Sequence, residues 1–255
     1  MENSKPYGTV LIRAAHILDY LADHPDLSLQ QLSRGTEMTA STTLKILDTL
    51  VLIGYVNKNQ DKTYRLGSKL IRYANKNIDQ LDLVELSLPY LEQLQKSIDE
   101  TIHLGILNNA EILYVNKLEP KNQTIRMSSK IGITRPLYSS AMGKAVLSEF
   151  SESDYQDYLN QHELVAYTEH TITNSLKLAS ELNKTKESKV AYDDEEMEKD
   201  IFCIGAAIMN QEKIIGAFSV SMPKYRLNSE TEEKIITKIK ETKTAIEKEI
   251  AKVAN

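Results

Sequence analysis

The chain has 255 residues, of which 41% are hydrophobic and 26% charged, and its formal net charge is −5 at pH 7. This length allows one large or two ordinary domains, and the negative charge argues against a protein that coats nucleic acid. No apolar run approaches the roughly 20 residues that cross a membrane, and the polar start, Met1–Gly8, has no signal-peptide core. The single cysteine, Cys203, excludes an internal disulfide. We therefore expect a cytoplasmic protein with no membrane partner.

The charge is unevenly distributed along the chain. Residues 1–75 contain nine lysines and arginines against seven aspartates and glutamates, a net charge of +2, which leaves −7 for the remainder. A weakly basic front and an acidic back are typical of a chain in which only the front meets phosphate groups.

The first predicted helix is Thr9–Asp23, which is amphipathic. Its apolar residues recur at helical spacing and are predicted to share one packed face. They are Val10, Ala14, Ile17, Leu18 and Leu21.

The following segment has the element order of a winged helix-turn-helix. Leu27–Ser33 predicts a short helix that Ser28 can cap, and Gly35–Met38 is the turn. Thr39–Leu50 predicts a second helix, with an apolar stripe facing a core. The stripe consists of Leu44, Ile46, Leu47, Leu50 and Val51.

Two short predicted strands, Gly54–Asn57 and Thr63–Leu66, then surround the polar tip Lys58–Lys62. A helix that opens at Gly67 and runs towards Leu81 follows them. The main use of this arrangement is to place the second helix in the major groove of double-stranded DNA.

The start of the second helix carries small or hydroxylated side chains, which suit a groove floor and phosphate oxygens. The alternative is that these serines and threonines only cap helices, and one of Thr39 and Ser41 is expected to do so. Basic residues of the predicted wing complete the candidate contacts. The candidate DNA-binding residues are Ser28, Thr39, Ala40, Ser41, Thr42, Thr43, Lys45, Lys58, Lys62 and Arg65.

The rest of the chain predicts antiparallel hairpins separated by helices, which indicates an α+β domain. Ser229-Glu230-Thr231-Glu232 matches a capping box for a last helix in which Ile235, Ile239, Ile246 and Ile250 form a stripe. The other predicted helices are Leu83–Ile98, Ser140–Phe150 and Leu176–Lys189. The predicted strands are Thr101–Leu107, Glu111–Val115, Gln123–Met127, Ile201–Met209 and Ile214–Met222.

Over nearly its full length the chain resembles the IclR family of bacterial transcriptional regulators. The front of the resemblance lies in Arg13-Ala14, Ile17-Leu18, Leu27-Ser28-Leu29, Ser41-Thr42 with Lys45 and Leu47, and Tyr64-Arg65-Leu66-Gly67. The more specific back lies in Gly132, Arg135-Pro136-Leu137, Gly143-Lys144-Ala145 with Leu147, Asp193, Glu195-Glu196, Cys203-Ile204 and Ser219-Val220-Ser221 with Pro223.

The resemblance implies a two-domain α+β protein. A winged helix-turn-helix DNA-binding domain would occupy residues 1–67, a linker helix residues 68–81, and an effector-binding domain residues 82–255. The last would have a GAF-like, profilin-like antiparallel sheet with flanking helices. The implied partners are operator DNA, a small-molecule effector that is commonly a carboxylate, and further copies of the chain in a homodimer or homotetramer.

The resemblance also implies an effector pocket formed by Met127, Ala141, Met142, Asp193, Cys203, Ser219 and Ser221. The chemistry of these residues is compatible with an acid, because the free N–H groups of a helix that begins at Ala141 can hold a carboxylate. Ser219 and Ser221 are two apart on a strand, so both point to one face. Alternatively, Asp193 caps a turn, Cys203 is a buried small hydrophobe, and Lys144 is structural. The family usually has glycine at Lys189 and Asp200, so the loops beside Asp193 are expected to take a different path.

Two other classes of function compete. An enzyme is disfavoured because Cys203 has no evident histidine partner, and metal-ligand spacings and glycine-rich phosphate loops are absent. The pair Ser140 and Lys144 is the one faint nucleophile signal. A winged helix that binds protein is the second competitor. The prediction is a DNA-binding repressor that controls a catabolic operon in response to a small organic acid, without metal or cofactor, and the alternative is an activator of the same family.

Overall fold

A computed structural model describes residues 8–79 and 82–253. The chain divides into two compact units, Met1–Leu81 and Asp82–Asn255. In the described part of the chain, no helix is long and apolar enough to cross a membrane. The α+β fold class predicted from the sequence is confirmed in both units.

The first unit is a three-helix winged fold followed by a further helix. Its helices are α1 (Thr9–Asp23), α2 (Leu29–Gly35), α3 (Ala40–Leu52) and α4 (Ser68–Asp79). Its strands are β1 (Leu27–Ser28), β2 (Val56–Lys58) and β3 (Thr63–Leu66), which form a sheet in the order β1-β3-β2. The end of the linker helix predicted for residues 68–81 falls on residues 80–81, outside the described residues.

The core of this unit joins all three helices to the wing. Its buried members are Ile17, Leu21, Leu32, Ile46, Leu47, Leu50, Val56 and Tyr64. Two residues predicted to face this core do not: Val10 is 61% exposed and Leu44 36% exposed. Helical spacing defines a stripe of positions, but the core covers only the part of the stripe that α2 and the wing reach.

The start of α2 differs from the prediction. Leu27 and Ser28 form strand β1, which pairs with Tyr64 and Thr63 of β3, and the helix begins at Leu29. Ser28 is its N-cap, as predicted, and forms a full capping box with Gln31.

The second unit is a six-stranded antiparallel sheet with helices on both faces. Its strands are β4 (Thr101–Asn108), β5 (Glu111–Leu118), β6 (Thr134–Pro136), β7 (Ala191–Asp194), β8 (Ile201–Asn210) and β9 (Lys213–Pro223), in the order β6-β5-β4-β9-β8-β7. Its helices are α5 (Asp82–Ile98), α6 (Ala141–Leu147), α7 (Glu152–Gln161), α8 (Ser175–Ser188) and α9 (Ser229–Val253).

Each face of the sheet has its own core. Phe202, Ile204, Phe218 and Val220 point to the face covered by α5 and α9, where the predicted isoleucine stripe of α9 is fully packed. Their neighbours at alternate positions point to the face covered by α6, α7 and α8. Small residues at these neighbouring positions, such as Gly205 and Ala207, let α6 lie close to the sheet.

Several predictions for this unit are wrong in detail. Gln123–Met127 is irregular, and the strand that pairs with β5 on the side away from β4 is Thr134–Pro136. The helix predicted at Ser140–Phe150 covers only Ala141–Leu147 and is capped by Ser140. The last helix is capped by Asn228, whose Oδ1 accepts from the Thr231 N–H at 2.9 Å, rather than by Ser229.

Lys189 and Asp200 adopt left-handed backbone conformations, each with φ of 63°. This is the conformation that glycine provides without strain. Lys189 and Asp200 therefore keep the backbone conformation that glycine favours, and the different path expected for the loops beside Asp193 stays a prediction.

Candidate functional site

The first candidate surface is the start of α3. Thr39 is the N-cap: its hydroxyl accepts from the Thr42 N–H at 3.3 Å and donates to the Thr42 hydroxyl at 2.9 Å. Ala40, Ser41 and Lys45 are exposed on the helix that follows. Together they present a hydroxyl, a methyl group and an ammonium group at one end of the helix, which are groups that contact base edges and phosphates.

Two residues of α3 correct the prediction. Thr43 is fully buried and its hydroxyl donates to the Thr39 carbonyl at 3.0 Å, so its side chain does not face DNA. Leu44, predicted to be buried, is exposed beside Ser41 and Lys45. An apolar side chain in this position can contact a thymine methyl group. This exposure could not be predicted from the residue pattern, because leucine at helical spacing is normally assigned to a core.

The second surface is the wing. Lys58, Lys62 and Arg65 are all exposed, as their predicted role requires. The tip is held in shape by Asp61, whose Oδ1 accepts from the Thr63 N–H at 3.0 Å and the Thr63 hydroxyl at 2.6 Å. These hydrogen bonds lower the pKa of the Asp61 carboxyl. The wing therefore offers three cations, Lys62 in the turn and Lys58 and Arg65 on the two strands beside it.

The candidate effector pocket lies on the α6 side of the large sheet. Asp193, Cys203 and Ser221 are direct cross-strand neighbours on β7, β8 and β9, and all three line it. Met127, also predicted, lines the opposite wall with Ser128 and Ser129. The open space at its centre is only about 40 Å³, enough for one or a few water molecules.

Three predicted pocket residues do not line this space. Ala141 and Met142 are buried against the sheet, where a Cβ on Gly205 would lie 3.0 Å from their backbone atoms. Ser219 pairs with Gly205 in the row that α6 covers. The amide of Gly143 is already bonded to the Ser140 hydroxyl. The start of α6 is thus packed against the sheet rather than turned to the pocket.

His103 of β4 was not predicted and connects the two walls of the pocket. Its Nδ1 lies 3.2 Å from the Ser221 hydroxyl and its Nε2 lies 2.7 Å from the Ser129 hydroxyl. Burial, with the nearby cations Lys117 and Arg135, lowers the pKa of His103 to about 3. The imidazole is therefore neutral, and one ring nitrogen donates while the other accepts.

Lys117 of β5 fixes the wall formed by residues 127–129. Its Nζ donates to the carbonyls of Met127 and Ser129, each at 2.7 Å, and pairs with Glu119 at 2.7 Å. These hydrogen bonds of Lys117 could not be predicted from the sequence, because residues 127–129 have no regular secondary structure that would place their carbonyls.

The opposite end of the pocket contains carboxyl groups. Asp193 caps the next turn, since its Oδ1 accepts from the N–H groups of Glu196 and Met197 at 2.8 and 3.3 Å. Burial, reinforced by Glu196, raises the pKa of Asp193 to about 7, although Lys144 opposes the shift. Burial also raises the pKa of the Cys203 thiol, which favours its neutral form.

Lys144 has a structural role, but its partner is a carboxylate rather than loop carbonyls. Its ammonium group forms a buried ion pair with Glu196, next to the loop that supplies Met197 to the pocket. Ser140 instead donates to the Pro136 carbonyl at 2.8 Å, so the two residues do not form a nucleophile pair. The described residues contain no cluster of three or more histidine, cysteine or acidic side chains suited to a metal ion.

Comparison with known families matches both units. Residues 10–60 match the IclR helix-turn-helix domain, and residues 75–248 match the bacterial transcriptional regulator IclR C-terminal domain. The chain belongs to the IclR family. It is accordingly a DNA-binding transcriptional regulator rather than an enzyme, and the helix-turn-helix makes DNA its partner.

Individual IclR-family proteins resemble the chain over nearly its whole length. The DNA-binding transcriptional repressor YiaJ of Escherichia coli is 31% identical, over 98% of this chain and 90% of its own. The Thermotoga maritima IclR crystal structure is 30% identical with a TM-score of 0.81, over 96% of this chain and all of its own. An IclR homologue from Microbacterium hydrocarbonoxydans, crystallised with 4-hydroxybenzoate, has the same fold at 21% identity and a TM-score of 0.82, over 94% of this chain and 98% of its own.

Proposed function

We propose that the protein is a cytoplasmic repressor whose operator binding is altered by a small organic acid. The observation that carries the proposal is a polar pocket in the second unit, formed by residues from all six strands of the sheet, the irregular wall at residues 127–129 and the loop after β7. The 4-hydroxybenzoate complex of an IclR homologue supports a small-molecule ligand, and the name of the similar YiaJ protein supports repression.

DNA contact is proposed for the exposed hydroxyl and basic residues of the first unit. Ser41 and Lys45 of α3 would enter the major groove, while Lys58, Lys62 and Arg65 of the wing would contact phosphates or the minor groove. The candidate residues Ala40 and Thr42 flank them. Ser28 and Thr39 cap helices α2 and α3. Any contact that their backbones or hydroxyls make with DNA would be additional to this capping role.

Pairing of two chains is proposed through an apolar groove between α1 and α3. Val10, Leu11 and Ile12 leave 53–76% of their surface exposed, and Leu11 lines the groove together with Ala15 and Ile53. Exposed apolar surface of this kind marks an interaction site. A homodimer would present two recognition helices to a near-palindromic operator, and two dimers would form the homotetramer.

The ligand response follows from linkage. A ligand shifts a protein between a DNA-binding and a released conformation only if it binds the two with different affinities. The pocket has little free space in this structure. The wall formed by residues 127–129 is held in place by hydrogen bonds to Lys117 and His103. A ligand larger than a few waters would therefore have to displace this wall. This displacement is one way in which the two conformations could differ in their affinity for the ligand.

The test is fluorescence anisotropy with the DNA upstream of the protein's own gene, at fixed salt, because phosphate contacts make affinity steeply salt-dependent. Lys45→Ala should weaken operator binding, because it removes a proposed contact in the major groove. The matched control, Lys186→Ala, removes an exposed lysine of α8 in the other unit and should leave binding unchanged. Equal binding by both variants would refute the proposed DNA surface and favour a protein partner for the winged helix.

A further inference from the structure

Arg135 is the exception among the shielded cations of the second unit. It is half-buried on β6, lines the pocket, and lies within 4.0 Å of no carboxylate among the described residues. Every other buried or half-buried lysine or arginine described in this unit has a carboxylate partner. These paired cations are Lys117, Lys144, Lys224, Arg226, Lys238 and Lys243.

The position of Arg135 in the sheet explains why it faces the pocket. It pairs with Ile112 across β5 and β6, so its side chain leaves the sheet on the side of Ile112 and Tyr114. Tyr114 in turn packs on His103, with ring centroids 4.8 Å apart. The guanidinium thus shares the pocket with two polar rings, both neutral at physiological pH.

Two cations lie near His103 at this end of the pocket. Arg135 and Lys117 both contribute to the low pKa of His103, and the Lys117 charge is balanced by Glu119 whereas that of Arg135 is not. The carboxyl groups that line the pocket, Asp193 and Glu198, come from β7 and the loop after it. An uncompensated guanidinium shielded from water is unfavourable unless an anion joins it.

We propose that Arg135 binds the carboxylate of the effector, and that the effector is a small monocarboxylic acid with a hydroxyl or carbonyl group at its other end. This inference rests on the proposed function and specifies its ligand. The planar guanidinium offers two parallel N–H donors to the two carboxylate oxygens. The second polar group of the acid then meets Ser221 and Asp193, of which the latter can donate a hydrogen bond while protonated.

This arrangement replaces the carboxylate site expected from the sequence. In the site expected from the sequence, the start of α6 holds the acid together with Ser219 and Ser221. In the structure α6 is packed on Gly205, and of the two serines only Ser221 lines the pocket. Arg135 supplies the charge that the packed helix start does not.

The experiment is calorimetric titration of the full-length protein with four acids: acetate, pyruvate, 4-hydroxybenzoate and gluconate. Each is paired with its primary amide, which keeps the shape and removes the charge. The variants are Arg135→Met, Arg135→Lys and a matched control, Arg126→Met, which removes an exposed arginine outside the pocket lining. Circular dichroism and the melting temperature establish that each variant is folded.

At least one acid should bind the wild type and Arg126→Met alike, while its amide binds far more weakly. Arg135→Met should lose on the order of tenfold to a hundredfold in affinity, as for other hydrogen bonds to charged groups, and Arg135→Lys should lose less. Equal binding by Arg135→Met and Arg126→Met, equal binding of acid and amide, or no binding of any acid would each overturn the assignment. Operator affinity of the wild type, measured alongside, tests the proposed function separately.

Discussion

The buried ion pair between Lys144 and Glu196 allows a quantitative test of how the pocket is supported. The two side chains are only 1% and 6% exposed. Lys144→Met would leave the Glu196 carboxylate buried without a counter-charge, and breaking a buried pair in this way costs about 3–5 kcal/mol. By contrast, the exposed pair of Lys184 and Glu181 leaves the lysine 72% exposed, and Lys184→Met should change stability by less than about 1 kcal/mol.

The assay is urea unfolding of the full chain, with a separate transition fitted for each unit because a two-unit chain need not unfold in one step. The double variant Lys144→Met/Glu196→Leu removes both charges and should recover most of the stability lost by Lys144→Met. The reasoning is refuted if Lys144→Met costs under about 1 kcal/mol, the range of an exposed pair, or if the double variant is no more stable than the single one.

Three other changes have defined outcomes. Thr39→Ala removes the N-cap of α3 and should lower the free energy of unfolding of the first unit by about 1 kcal/mol. The same variant should bind the operator more weakly. Gly205→Ala places a Cβ 3.0 Å from the backbone of Ala141 and should destabilise the second unit by about 1–3 kcal/mol in the same urea assay. Because burial raises the pKa of Asp193 from 3.8 to about 7, the folded state keeps a proton that the unfolded state releases, so stability should fall as pH rises from about 4 to 7. Asp193→Asn should remove this dependence, so that the melting temperature of the variant changes little with pH across that window. If the melting temperature of the variant depends on pH as steeply as that of the wild type, Asp193 is not the source of the dependence.

Local patterns were sufficient to predict most elements of the fold. Helical spacing located α1 at its true bounds, Thr9–Asp23, and β-prone segments on either side of polar turns located both long hairpins of the second unit. The errors occur where two neighbouring residues or segments are equally suited to the same structural role. Asn228 and Ser229 are both good N-caps, and the backbone used the first of them. Gln123–Met127 is β-prone, but Thr134–Pro136 is the segment that forms the edge strand beside β5.

The recognition helix shows how far a residue pattern can define a surface. Thr39, Ser41 and Thr43 have similar side chains, yet Thr39 caps the helix, Ser41 is exposed and Thr43 is buried with its hydroxyl bonded to the Thr39 carbonyl. Leu44 faces outward although it is apolar. Sequence spacing gives the angle of each residue about the helix axis, but the side that is covered depends on where α1 and the wing pack.

The pocket depends even more on long-range packing. Ser219 and Ser221 are equivalent in the sequence and point to the same face of β9, but Ser219 is paired with Gly205, and the absent side chain there lets α6 cover that row. Ser221 pairs with Cys203 in the next row, which α6 leaves open to the pocket. His103 and Arg135 then reach the same space from strands β4 and β6, on either side of β5. Since Gly205 lets α6 cover Ser219 and leave Ser221 open, the position of α6 on the sheet selects which of the polar side chains on the strands face the pocket.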